Sequence, residues 1–323
     1  FLTFLGAVFL GIPLTLPGFL TVQIAALLLT GGWWFCTARS VPGDHAPRPS
    51  PRPLVPSTTM NIALVVLALW TLAKMGAAAF DVITTPAFFN DTITNWNARA
   101  KVYVALEEFS LSLPSQNPGD FSSGISSYPP SVPLVKAWLA SLAGAWHEGL
   151  VNAIHFVWYL ALLILVFLTL RRTSSWLIAV FGTYVLYSLP LMLTHSMVAY
   201  ADIFMALHLF IPSILLFHAL HQEERGTALS FLKLSVFAIG LVPFTKNEGL
   251  LLYFPLLVLF SAVTHGLLLK RAVLSTRDMR RSLLWTASFV LLILIPWLVF
   301  KWTHGLDFGN AKPLGGFSVS WQS

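Results

Sequence analysis

The amino-acid sequence predicts an all-α polytopic membrane protein with about eight transmembrane helices, in the style of a helix bundle carrying one large extracytoplasmic loop. Three observations predict it. Hydrophobic residues make up 56% of the 323 residues, charged residues only 10%, and the mean hydropathy is +0.76, far too apolar for a soluble domain of this length. Apolar runs recur at the length that crosses a hydrocarbon core of roughly 30 Å. The charges collect between those runs and in one long polar stretch from Asp81 to Glu148.

In chain order, Phe1 to Ile12 is apolar but is followed by Pro13 and Pro17, and Leu20 to Phe35 reads as a clearer span ending in Trp33-Trp34. Ala38 to Thr59, rich in proline and carrying Arg39, Arg48 and Arg52, reads as an irregular loop. Met60 to Phe80 is a full crossing. After the polar stretch come Leu150 to Leu170, Trp176 to Leu193, Ile203 to Leu220, Leu229 to Phe244, Leu250 to Val263 and Leu283 to Phe300. The expectation is a single transmembrane domain over 1–323 with an active-site loop at 81–148 inside it. Phe1 in place of a methionine, and the polar tail to Ser323, predict that residues are missing from one or both ends, and no cleavable signal peptide is recognisable.

Orientation follows from the connections. Those with Arg39, Arg48 and Arg52, with Arg171 and Arg172, with Arg225, and with Lys270, Arg271, Arg277, Arg280 and Arg281 are short and basic, which places them in the cytoplasm. The formal net charge of +6 is thereby explained without a nucleic-acid partner. The alternate set, Asp81 to Glu148, His195 to Asp202, Thr245 to Gly249 and the tail from Lys301, shares the opposite face. Asp91, Asp202, Lys246 and Glu248 are expected to converge there on one cavity. The single cysteine, Cys36, leaves no intramolecular disulfide and no cysteine cluster for a metal.

Each candidate residue has a structural and a chemical reading. Asp91 stands before a run in which Trp96, Arg99 and Tyr103 fall on one helical face; it either caps a helix starting at Thr92 or serves as a general base or metal ligand. Asp202 opens the span Ile203 to Leu220, again as cap or as functional acid. His195 is structural, or binds a phosphate, a sugar hydroxyl or a metal. Thr245-Lys246-Asn247-Glu248-Gly249 joins two apolar runs with almost no room to turn, so Lys246 pairs with Glu248, snorkels, or faces a lipid-linked phosphate as a point charge. Lys74 and Lys233 are expected to snorkel from span ends. Asn90-Asp91-Thr92 also fits a glycosylation sequon.

The order of these features resembles a polyprenyl-phosphate-sugar-dependent glycosyltransferase of the GT-C fold, the group that includes protein O-mannosyltransferases and the aminoarabinose transferase of lipid A. The likeness is carried by Asp91, Trp96, Ala98-Arg99-Ala100-Lys101, Tyr128-Pro129-Pro130, Asp202 and Thr245-Lys246-Asn247-Glu248-Gly249, over roughly Met60 to Val263. The resemblance implies an inverting transfer of a sugar from a polyprenyl phosphate to an extracytoplasmic lipid, glycan or protein hydroxyl; the compact outward loops favour a bacterial inner membrane. It implies Asp91 as base and Asp202 as its acidic companion, with Lys246, Arg99, Lys101 and His195 at the donor phosphate and Trp96, Tyr128 and Glu248 around the substrate. A divalent cation, Mg or Mn, held by Asp91 and Asp202, is the one cofactor it suggests. A transporter or flippase for an anionic or lipid-linked substrate, which predicts charges deep within spans, and a non-catalytic membrane subunit are the readings from other classes.

Overall fold

The computed structural model describes residues 1–38, 58–112, 125–306 and 308; the proline-rich loop after Ala38 with its three arginines, and most of the tail after Lys301, lie outside the described residues. The same holds for the side chains of Trp33, Trp34 and Cys36. Among the described residues 83% are helical and none lies in a strand. Among the described residues six helices are long and apolar enough to cross a membrane, seven if a bent pair forms one span. Such a set fits an integral membrane protein.

The first hairpin yields α1 (Leu2–Phe9), too short to cross, and α2 (Leu16–Ala38). The predicted span from Trp176 is broken into α7 (Trp176–Ser188) and α8 (Pro190–Met197), bent by 68°. Pro190 is the reason. It sits at the first turn of α8, where its missing N–H costs nothing, and it drives Leu189 to an extended ψ of 118° that no continuous helix can hold.

The other spanning helices are α3 (Thr58–Thr84), α6 (Glu148–Thr173), α9 (Ala201–Leu220), α10 (Arg225–Leu241, continued by a 3-10 turn at Val242–Phe244), α11 (Phe254–Lys270, preceded by a π-helix at Gly249–Tyr253) and α12 (Thr276–Thr303). Between α3 and α6 lie a π-helix at Thr92–Asn97, α4 (Ala98–Leu106) and α5 (Ser131–Ala143). Helix α3 shows apolar side chains outward almost all round, among them Ile62, Val66, Leu69 and Leu72, as a surface that faces acyl chains does. Arg171 and Arg172 close α6 where cations complement the helix dipole.

The chain divides into two compact units, one of Leu2–Phe109 with Pro133–Ile214, the other of Phe1, Ser110–Val132 and Leu215–Ser323. The larger unit has a core of Tyr159, Leu162 and Leu163 from α6, Tyr187 from α7, and Ile203 and Leu207 from α9. At Gly149 a Cβ would lie 2.0 Å from the Ile83 carbonyl oxygen, so only glycine lets α6 start against the end of α3. In the smaller unit α10 packs along α12, with Gly240 admitting the Ile293 methyl. There Ser275 and Asp278 form a reciprocal cap on α12, and Arg225 donates to Asp278 at 2.5 Å.

Candidate functional site

Asp91 does not cap a helix. Its backbone is already helical, with φ −62° and ψ −33°, and its side chain makes no bond to the backbone amides that follow. The carboxylate instead accepts from two side chains of the next turn: the Trp96 indole N–H at 2.6 Å, and the Asn95 amide at 3.2 Å. Trp96 is five residues on, and the chain between forms a π-helix rather than an α-helix. The wider turn brings an i+5 side chain over Asp91, and π turns of this kind gather at functional sites. Trp96 is only 1% exposed, with its indole N–H turned to Asp91. Asp91 itself stays half-buried and open to a partner.

The residues around Asp91 come from the connection between α8 and α9. The buried Thr92 hydroxyl donates to the Val198 carbonyl at 2.5 Å and ties that connection down. Ala199 next to it holds a left-handed φ of 56°, a conformation that costs a residue with a Cβ roughly 1–2 kcal/mol. The turn it makes delivers Tyr200 and Asp202. Burial, and after it the negative charge of Asp91, push the Tyr200 phenol above its usual range, with Asp202 adding to the effect. His195 lies with its Nδ1 4.0 Å from the Asp202 carboxylate and its ring 6.2 Å from that of Tyr200. Asp202 falls in the first turn of α9, and its side chain is 44% exposed. Asp91, His195, Tyr200 and Asp202 therefore occupy one neighbourhood of the larger unit.

Two further cations predicted for a phosphate have other neighbours. Arg99 is buried and donates to the Tyr103 hydroxyl at 3.4 Å; burial pushes that phenol up while Arg99 opposes the shift. Lys101 is half exposed, 3.5 Å from Glu148 and 5.2 Å from the Trp146 ring centre. Glu148 also accepts the Ala87 amide at 2.8 Å, which joins the start of α6 to the end of the α3 connection.

Sequence reasoning passed over Lys136. On α5 it is completely buried, and its ammonium donates to Asn97 Oδ1 at 2.6 Å and Asn152 Oδ1 at 2.9 Å. Desolvation lowers its pKa to about 7, against the raising influence of Glu148 and Asp91. The signal available was a lysine inside the otherwise apolar run Val132 to Ala143.

The smaller unit carries the other motif. Tyr128 is nearly buried, behind Ser127 and ahead of Pro129-Pro130. Asn247 donates to Ser127 Oγ at 3.3 Å, and Ser131 Oγ donates to the Thr245 carbonyl at 3.5 Å. Lys301, assigned from sequence to an outward tail, is instead the buried last turn of α12. Its ammonium donates to the Ser127 carbonyl at 2.6 Å and to Asn247 Oδ1 at 3.2 Å, over the Trp297 and Phe308 rings. Lys246 is half-buried and Glu248 exposed on this fixed turn, ahead of the second π-helix.

The donors do not compose a site for a divalent cation. Among the described residues no three or more histidines, cysteines or carboxylates cluster, and both Asp91 oxygens already accept side-chain N–H groups. Lys74, expected to snorkel, instead lies in the body of α3 with its ammonium over the Trp70 and Tyr187 rings, at 5.8 and 5.3 Å. No family model, curated protein or solved structure matches the chain.

Proposed function

We propose that this chain is an inverting glycosyltransferase of the membrane, moving a sugar from a polyprenyl phosphate to an acceptor hydroxyl on the non-cytoplasmic side. The observation that carries the reading is Asp91. It is a half-buried carboxylate freed from helix capping and aimed by an indole and an amide, with a second acid, a phenol and an imidazole beside it. The ordered resemblance to GT-C enzymes supports it, and the basic connections support the orientation.

In this mechanism Asp91 takes the proton of the acceptor hydroxyl as that oxygen attacks the anomeric carbon. The bond from that carbon to the lipid phosphate breaks, and the phosphate leaves with the electron pair. General-base assistance of this kind contributes roughly 10²- to 10⁴-fold. Tyr200 and Asp202 orient the acceptor. Lys246 is assigned to the developing phosphate charge on the chemistry of its ammonium and the sequence resemblance.

The test uses the purified chain in proteoliposomes with undecaprenyl-phosphate-linked mannose or aminoarabinose, following release of undecaprenyl phosphate. Asp91→Asn is expected to lower release by at least 100-fold with unchanged helicity; full release in that variant removes Asp91 as the base. Lys74 favours transport, since it places a cation well inside a span. A flippase breaks no glycosidic bond, so movement of intact donor across the bilayer without release of undecaprenyl phosphate would replace the transferase reading.

A further inference from the structure

The buried ammonium of Lys136 has no place in the mechanism above, yet it touches the turn that carries the base. Asn97, its partner at 2.6 Å, is the last residue of the π-helix whose Asn95 and Trp96 hold Asp91. Its second partner, Asn152 at 2.9 Å, lies one turn into α6. Both acceptors are neutral amides. A fully desolvated cation bound only by amides is costly unless a nearby anion compensates it, and the carboxylates within electrostatic reach are Glu148 and Asp91. Glu148 is already shared with Lys101 and the Ala87 amide. This geometry anchors the π turn to α5 and α6.

We propose that Lys136 is the positioning residue of the candidate site, clamping the π turn through Asn97 so that Asp91 is held in place. The proposal rests on the reading of Asp91 as the base, and it adds a residue that touches neither donor nor acceptor. The charged and titratable groups facing Lys136 and its partners are Asp91, Glu148 and Lys101, with His155 on α6 and Tyr200 at the α8–α9 connection. Of these only Asp91 is bonded within the clamped turn.

Hydrogen–deuterium exchange of the full chain in lipid nanodiscs tests this without any substrate. Exchange of the backbone amides from Thr92 to Arg99 is followed in wild type, Lys136→Met and Lys136→Gln. Both variants are expected to speed exchange of this segment by about 10-fold or more while α7 and α9 stay as they were. A merely structural lysine would loosen the whole unit alike, so an even rise over the unit, or unchanged exchange over the turn in a folded variant, overturns the proposal. Should neither variant fold, Asn97→Leu keeps Lys136 and its bond to Asn152 but cuts the turn loose; its exchange is also expected to rise, and an unchanged one is equally fatal. Loss of the base reading through an active Asp91→Asn enzyme would leave this clamp intact, so the two failures are distinct.

Discussion

Asp91 shows how much a single carboxylate depends on where its hydrogen bonds go. Had it bonded the amides of the following turn, its lone pairs would stabilise a helix end; bonded to Trp96 and Asn95, it is aimed and half open. Lys136 makes a second prediction at this scale. Its pKa is near 7 in the folded chain, against roughly 10.4 for an ordinary lysine. Between those values the unfolded chain holds a proton that the folded chain has released, so stability rises with pH through that window and falls as pH drops toward 7. The slope approaches about 1.4 kcal/mol per pH unit at most. Melting of wild type in detergent is expected to climb from pH 7 to 10 relative to Lys136→Met, which lacks the group; parallel curves would show that Lys136 is not desolvated as described.

At the scale of elements, the two π-helices each follow a candidate motif, Asp91 in one case and Lys246 to Glu248 in the other. Neither could be read from apolar spacing, because a helix widened by one residue per turn keeps the same composition and shifts only which side chains overlap. Pro190 was visible in sequence, but its effect depends on whether the helix around it can bend. The meeting of α3 with α6 is as exacting. Gly149→Ala is expected to destabilise the chain by about 1–3 kcal/mol, since its methyl must displace the Ile83 backbone, and to loosen Glu148 from Ala87. Thermal melting with Gly31→Ala as control, a position with open space around it, measures the difference.

For the whole molecule, the apolar surface of helices such as α3 and the basic connections are the consequential features. The proposed orientation predicts the labelling of cysteines placed in a Cys36→Ser background in cells. Glu107→Cys is expected to react with an impermeant maleimide in intact cells, and Arg172→Cys only after permeabilisation. The reverse pattern would put the Asp91 neighbourhood on the cytoplasmic side and end the proposal of an extracytoplasmic acceptor.

Composition and run length alone determined that the chain is helical and built of membrane-crossing segments, because burying a span in lipid demands long apolar stretches whatever their partners. They also marked Asp91, Asp202 and His195, three of the four groups that meet in the larger unit. Only the tertiary structure decided that Trp96 serves Asp91, that Tyr200 completes the group, and that Lys136 and Lys301 are buried behind the two motifs. The reason is physical: a hydrogen bond is satisfied by whatever acceptor packing brings near, and Lys136 with Asn97, or Lys301 with Ser127, stand 39 and 174 residues apart in the chain.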